Sequence, residues 1–454
     1  MEYKDFIKSK EYQRNVIEYT DDPWFPSDMF DFQKDCCHWA LKRGKAALYM
    51  DTGLGKTISQ LTWAYNIVEF TDKPVLVVAP LCVAQQTVRE GVRFGIDTVY
   101  IREPQFTNAR IHVTNYEMLK NFDPSKYGGI VLDESSILKG MNGKLRRFIT
   151  DFAKDINFRL SCTATPSPND YMELGTQSEF LGIMSQVEML AMFFIHDGSD
   201  TSKWRLKGHG KNRFWQWLST WAIVLRHPSE LGYQAGGYDL PPVRYYEHIV
   251  ETEADEGLFV DVAQGLQERN KARRDTVDDR VQKAIEIANS YDEPVIIWCH
   301  LNDESKALSG GIGQCVEVTG SDSPDKKEAD LLGFTDGSIL KLVSKPKIAG
   351  FGMNWQHCSK IVFVGLSDSW ESYYQAIRRC WRFGQKDEVT VHIVSSDREG
   401  AVLDNIRRKE NQNKEMGEQM SKLMLQFTLA EIKGAIVEKT DYMPSLEMQL
   451  PSFN

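Results

Sequence analysis

Apolar residues in this chain fall into short blocks separated by stretches with helical spacing. The first series comprises Ala46-Ala-Leu-Tyr-Met50, Lys73-Pro-Val-Leu-Val-Val-Ala-Pro80, Ile111-His-Val-Thr-Asn-Tyr116, Gly129-Ile-Val-Leu-Asp-Glu-Ser-Ser136 and Arg159-Leu-Ser-Cys-Thr-Ala-Thr-Pro166. Short apolar runs closed by proline or small polar residues read as buried strands. Gln33-Lys-Asp-Cys-Cys-His-Trp-Ala-Leu-Lys42 and the stretch 58–68 have helical spacing. Alternating strands and helices predict an α/β unit with a parallel sheet. A second series follows: Glu293-Pro-Val-Ile-Ile-Trp-Cys299, Gln314-Cys-Val-Glu-Val-Thr-Gly320, Leu340-Lys-Leu-Val-Ser344, Ile361-Val-Phe-Val-Gly365 and Val389-Thr-Val-His-Ile-Val394. This predicts a second α/β unit. Between them, Phe214, Trp217, Leu218 and Trp221 fall at i, i+3, i+4 and i+7, a helix burying one face. The expected division is a leader over 1–24, a first unit over 25–170, a connecting region over 171–245, a second unit over 246–430 and a tail over 431–454.

The chemistry concentrates in Met50-Asp-Thr-Gly-Leu-Gly-Lys-Thr57, between the first strand and a helix. Strand, glycine-bearing loop, Lys-Thr and helix is the order a nucleotide phosphate cradle requires. Glycines such as Gly53 and Gly55 let backbone N–H groups turn inward around an anion, and the helix aims its positive end there. Lys56 then reaches the β- and γ-phosphates, and Thr57 offers a hydroxyl to Mg²⁺. Asp133 and Glu134 close another strand, which puts two carboxylates at the carboxyl edge of a parallel sheet. Asp133 is the candidate Mg²⁺ ligand, and Glu134 the base that orients and deprotonates water. The second series has no phosphate loop of its own, so the nucleotide is expected between the two units.

These blocks resemble the ordered motifs of superfamily 2 helicases, most closely the Swi/Snf-type DNA translocases. The resemblance rests on Phe32-Gln33, the phosphate loop, Val78-Ala-Pro80, Val113-Thr-Asn-Tyr-Glu117, Leu132-Asp-Glu-Ser-Ser136, Thr163-Ala-Thr-Pro166 and Gln375-Ala-Ile-Arg-Arg-Cys-Trp-Arg-Phe-Gly-Gln385. It implies two RecA-like parallel-sheet domains in tandem with ATP and Mg²⁺ in the cleft. Gln33 is the expected adenine contact. Thr52, Gly53, Gly55, Lys56, Thr57, Gly352 and Gln375 are the remaining expected ATP contacts. Arg379 and Arg382, three apart and so on one helix face, are the expected catalytic fingers. Thr163, Thr165 and Asn354 are expected to couple hydrolysis to motion, and Thr114, Asn115, Lys139 and Ser344 to touch DNA. The box Asp-Glu-Ser-Ser stands where the family usually has Asp-Glu-x-His.

Residues 203–213 form a basic loop in which Lys203, Arg205, Lys207 and Lys211 are further DNA-contact candidates. The wording of 169–232 resembles phage- and prophage-encoded helicases. The implied activity is a nucleic-acid-stimulated ATPase that remodels duplex or branched DNA, by fork regression or branch migration. Binding is expected to follow DNA structure rather than sequence. An RNA helicase, or an ATP-switched DNA-binding module recruiting a nuclease, are the alternatives. The expected motor is monomeric, with phage replication or recombination proteins as partners.

Composition narrows this further. The net charge of −10 argues against binding nucleic acid through bulk charge, though a local basic groove remains compatible. No apolar run approaches the ~18–20 residues of a membrane helix. The acidic, polar stretch Met1-Glu-Tyr-Lys-Asp lacks the pattern of a signal peptide, so none is expected. The eight cysteines never form C-x-x-C, which suggests buried thiols in a reducing compartment and no zinc site; the phage resemblance implies the cytoplasm of a bacterial host.

Overall fold

The computed structural model describes residues 18–105, 107–139, 143–168, 170–197, 200–234, 236–251, 275–349, 353–367, 369–397 and 400–432. Residues 252–274, most of the leader and most of the tail lie outside these residues, as does the expected ATP contact Gly352. Two parallel sheets organise the chain. The first has seven strands in the order β3-β4-β2-β5-β6-β1-β9. They are β1 (Lys45–Met50), β2 (Val75–Ala79), β3 (Thr98–Tyr100), β4 (Ile111–Asn115), β5 (Gly129–Asp133), β6 (Phe158–Cys162) and β9 (Ala222–Leu225). β2, β5 and β6 are buried along their whole length. Their continuous apolar runs suit a sheet covered on both faces. One face buries Trp63 and Ile67, the other Leu76 and Ile130.

The order β5-β6-β1 matters most. It places the carboxyl ends of three neighbouring strands side by side: Asp133 after β5, Thr163 after β6 and the phosphate loop after β1. Open parallel sheets bind ligands at this edge.

β9 comes from the stretch expected to be a connection. It pairs in parallel with β1 through Ala47↔Ala222 to Met50↔Leu225, so the first unit extends past residue 170. The aromatic helix Lys211–Ser219 packs beneath it, with Phe214, Trp215 and Leu218 buried. Trp217 is half-buried, and Trp221 is buried just beyond the helix end. The basic stretch is not one loop. Its first part is β8 (Asp200–Leu206), hairpinned on β7 (Phe194–Asp197).

The second sheet runs β10-β15-β14-β11-β13-β12, all neighbours parallel. Its strands are β10 (Val243–Val250), β11 (Val295–Trp298), β12 (Cys315–Val318), β13 (Lys341–Ser344), β14 (Lys360–Val364) and β15 (Val389–Ser396). The expected α/β architecture in two parallel-sheet units is therefore present. The helix Trp370–Ile377 follows β14 and faces the first unit. The chain ends its described part in a 33-residue helix, Gly400–Ile432. Val402, Leu403 and Ile406 at its start belong to the second core, whereas Met420 and Met424 are buried in the first. Cys36, Cys37, Cys162, Cys299, Cys358 and Cys380 are buried free thiols. No described helix is long and apolar enough to cross a membrane.

Candidate nucleotide site and interdomain cleft

The loop between Met50 and Lys56 turns through two left-handed glycines, Gly53 at φ +89° and Gly55 at φ +83°. Side chains rarely adopt that backbone, and space excludes them too: a Cβ on Gly55 would lie 2.1 Å from Gln33 Nε2. Gly55 caps the helix Lys56–Thr71, which has no side-chain cap and no acidic residue in its first turn. Its N-terminal N–H groups are thus left to an anion. Lys56 Nζ donates to the carbonyls of Met50 at 3.0 Å and Asp51 at 3.3 Å, so its charge is held at the loop mouth. Burial pushes the Lys56 ammonium down, while Glu134, Asp133 and Asp51 oppose that shift. Thr57 sits half-buried on the first turn.

Asp133 is buried at the end of β5. Gln60 Nε2 donates to its Oδ1 at 2.7 Å, and the Glu134 N–H does so at 3.1 Å. Glu134 holds φ +52°, a strained backbone for this residue type. Thr163 Oγ1 donates to Glu134 Oε2 at 3.3 Å. Burial raises the affinity of both carboxyls for a proton, against the pull of Lys56. A hydroxyl at Thr57 and a carboxylate at Asp133 are the hard oxygen donors that Mg²⁺ takes, and the uncapped helix start beside them fits a phosphate. Ser135, in the unusual box, is fixed by Ser161 at 2.8 Å, and Gln177 Nε2 donates to its carbonyl.

The second unit closes over this loop. Arg378, buried, donates to Thr52 Oγ1 through Nε and to the Thr52 carbonyl through Nη2 at 2.9 Å, and its Nη2 lies 3.1 Å from Asp51 Oδ2. Tyr374 O–H donates to Asp51 Oδ1 at 2.7 Å. Burial alone would raise the Asp51 carboxyl, but Arg378, Tyr374, Thr52 N–H and Lys56 together hold it below its usual range. Arg378 and Tyr374 were not among the sequence candidates. With Glu371 they fall at i, i+3 and i+7, a spacing that marks one helix face.

Arg379 and Arg382 do not share a helix face, because the helix ends at Ile377. They converge instead on one acceptor, the Met353 carbonyl, at 3.3 and 3.1 Å. Arg379 also donates to Gln375 Oε1 at 2.7 Å. Burial and the neighbouring Arg379 bring Arg382 down to about 10. Gln375 Nε2 and Asn354 Oδ1 are buried without a hydrogen-bond partner among the described residues. Such atoms fit a site completed by a ligand or by domain movement.

Other candidates are placed differently from expectation. The amide of Gln33 already holds partners within the protein: Nε2 donates to the Leu54 carbonyl at 2.9 Å, and Oε1 accepts from Phe30 N–H at 3.0 Å. Beside it, Phe383 of the second unit packs on Tyr238 with ring centroids 4.5 Å apart. Thr114 is fully buried in β4, and Asn115 is tied to Tyr100 and Met118. Ser344 is buried and donates to the Val318 carbonyl at 3.0 Å. As placed, these three side chains are buried. Lys139 pairs with Glu371. Lys207 donates to the Ala191 and Met192 carbonyls, capping the helix Gln186–Phe193. Arg205 and Lys211 are exposed, and the side chain of Lys203 lies outside the described residues.

Residues 278–384 match the helicase conserved C-terminal domain. The chain is 26% identical to protein p41 of the Acyrthosiphon pisum secondary endosymbiont phage 1, over 78% of this chain and 90% of that protein. It is 24% identical to the TATA-binding protein-associated factor MOT1 of Saccharomyces cerevisiae over 39% of this chain, which spans 12% of that protein. Among solved structures, the Sulfolobus solfataricus SWI2/SNF2 ATPase core in complex with dsDNA aligns with a TM-score of 0.43 and 19% identity. That alignment covers 92% of this chain and 99% of that one.

Proposed function

We propose that this superfamily 2 helicase core, Swi/Snf-type in its motifs, is an ATP-dependent DNA translocase. The observation that carries the reading is the composite site. The phosphate loop and Glu134 belong to one sheet, while Arg378, Arg379 and Arg382 come from the other unit. A nucleotide seated on the loop is hydrolysed only when the second unit supplies its guanidinium groups, so turnover is tied to relative motion of the units.

Lys56 and the uncapped helix start bind the triphosphate, and Glu134 takes a proton from the attacking water. Thr57 and Asp133 would hold Mg²⁺, whose charge would offset that of the phosphates. Arg379 and Arg382 trade the Met353 carbonyl for phosphate oxygens. On this reading the DNA contacts go to the backbone, which positions the protein without reading sequence. Binding through phosphates therefore follows DNA structure and weakens with salt. Within this reading, remodelling of forks and four-way junctions is the activity assigned, with the exposed Arg205 and Lys211 on the basic stretch as junction contacts.

The test is ATP turnover by the full chain alone and with single-stranded DNA, duplex, fork, four-way junction or RNA. Glu134→Gln, which keeps the shape of the side chain but removes the base, is expected to lower turnover by about 10²–10⁴-fold while ATP still binds. Strongest stimulation by forks or junctions supports the reading. Stimulation by RNA alone overturns the DNA assignment, and no turnover with any of them overturns the motor.

A further inference from the structure

Thr163, which donates to Glu134, accepts from the Thr165 N–H at 3.1 Å. Thr165 Oγ1 then donates to Glu371 Oε1 at 3.2 Å, across the gap between the units. The other oxygen of Glu371 accepts from Lys139 Nζ. One carboxylate on the second unit thus holds two elements of the first. One is the turn after β6, whose threonines lead to the base, and the other is a half-exposed lysine. Glu134, Ser136, Lys139 and Glu371 all line a cavity of about 1000 Å³ between the units, which also receives Arg102 and Lys347.

We infer that Glu371 is a positioning residue: it restrains Glu134 through Thr165 and Thr163 until a phosphodiester in this cavity takes Lys139 away from it. The inference rests on the reading of the site as a DNA-stimulated ATPase. At rest, Glu134 Oε2 is spent on the Thr163 hydroxyl and turned toward β6. Lys139 is the member of the chain within reach of a polyanion, being 39% exposed where Glu371 is 12% exposed. A backbone phosphate competes directly for an ammonium of this kind, because it offers the same charge-assisted hydrogen bond. Once Lys139 leaves, Glu371 keeps, among the described residues, the Thr165 hydroxyl. The helix carrying it can then move, and Thr163 releases the carboxylate of Glu134 toward the nucleotide. The relay makes the base respond to nucleic acid that never touches it.

The experiment measures kcat and KM for ATP with and without duplex DNA, on the full chain, for wild type, Lys139→Gln, Glu371→Ala, Thr165→Val and Thr165→Ser. Lys139→Gln, Glu371→Ala and Thr165→Val each cut the relay. Each is expected to raise DNA-free kcat by about threefold to tenfold, as for release of one restraining hydrogen bond, with KM for ATP unchanged and little further stimulation by DNA. Thr165→Ser keeps the hydroxyl and is expected to restore the wild-type ratio. A purely structural role predicts falls in kcat that serine does not rescue, and that result overturns the inference. Wild-type stimulation in Lys139→Gln overturns it too, even if the Glu371 and Thr165 variants do not fold. A wild-type enzyme that turns over ATP but ignores DNA fails at the earlier step, the motor reading itself.

Discussion

Arg378 offers the most direct quantitative test of how the two units meet. Its guanidinium is 6% exposed as a side chain and lies 3.1 Å from Asp51 Oδ2, which is 17% exposed. Removing one partner of a buried ion pair costs about 3–5 kcal/mol, because the other charge stays buried. Here the loss is smaller. Asp51 retains the Tyr374 hydroxyl at 2.7 Å and the Thr52 N–H at 2.6 Å, and it keeps some contact with water. We therefore expect Arg378→Met to cost about 2–3 kcal/mol and Asp51→Asn somewhat less. The double variant is expected to recover about 2 kcal/mol of the sum, since neither charge is then left alone. Urea unfolding of the four proteins closes the cycle. Additivity to within about 0.5 kcal/mol would refute the claim that these side chains act as a pair across the cleft.

Two further outcomes follow from named geometry. Gly55→Ala places a Cβ 2.1 Å from Gln33 Nε2 on a backbone at φ +83°. It is expected to abolish ATP binding by calorimetry and to lower stability by about 1–2 kcal/mol in thermal unfolding. His392, bonded to His248 at 2.9 Å and to the Tyr291 hydroxyl at 2.8 Å, is held at about 4 by burial, His248 and Lys360. Between about 4 and the ordinary histidine value, the unfolded chain binds a proton that the folded chain refuses. The stabilisation is thus present above pH ~6.5 and is lost as pH falls toward 4. Denaturation at pH 7.5 and pH 5 should show a smaller loss in His392→Phe than in wild type, and equal losses would sink the assignment.

Legibility in the sequence followed the range of the interactions involved. The strands were readable because strands covered on both faces are continuous apolar runs, as in Val75–Ala79 and Gly129–Asp133. The tight strand-to-helix turn was readable because Gly53, Gly55 and Lys56 act within one turn of chain. β9 was not, because Ala222–Leu225 directly follows an aromatic helical pattern and acquires its strand character from β1, far away in sequence. The motif around Gln375 falls where the second unit meets the first, but where the helix ends is set by packing. Its arginines therefore meet at a carbonyl rather than on a shared face. Arg378 reaches Thr52 across 326 positions, and no local pattern reports a contact of that span. Thr114, Asn115 and Ser344 show the converse. A motif fixes the strand end where a residue sits, but the direction of its side chain depends on what packs there.

The contacts of the second unit on the first are not spread evenly. Glu371 and Tyr374 lie on one helix, with Arg378 at its end, and they meet the ends of β6 and β1, which are neighbours in the first sheet. A small tilt of that helix therefore acts on the phosphate loop and on the threonines behind Glu134 at once. For the tilt to be a rotation rather than a separation, the units need a second attachment, and the helix Gly400–Ile432 supplies one. At ~1.5 Å per residue it spans about 50 Å, enough to root in the second core and bury Met420 and Met424 in the first. Asn413 Nδ2 adds a bond to the Pro168 carbonyl at 3.0 Å. Replacing both methionines with alanine removes about 2–5 kcal/mol of packing at each site from the far anchor. If the helix is a tether, small-angle scattering of the Met420→Ala/Met424→Ala variant shows a larger radius of gyration, and its DNA-stimulated turnover falls further than its DNA-free turnover. If the helix merely rides on the surface, the variant melts earlier but stays as compact as wild type, with both rates reduced alike.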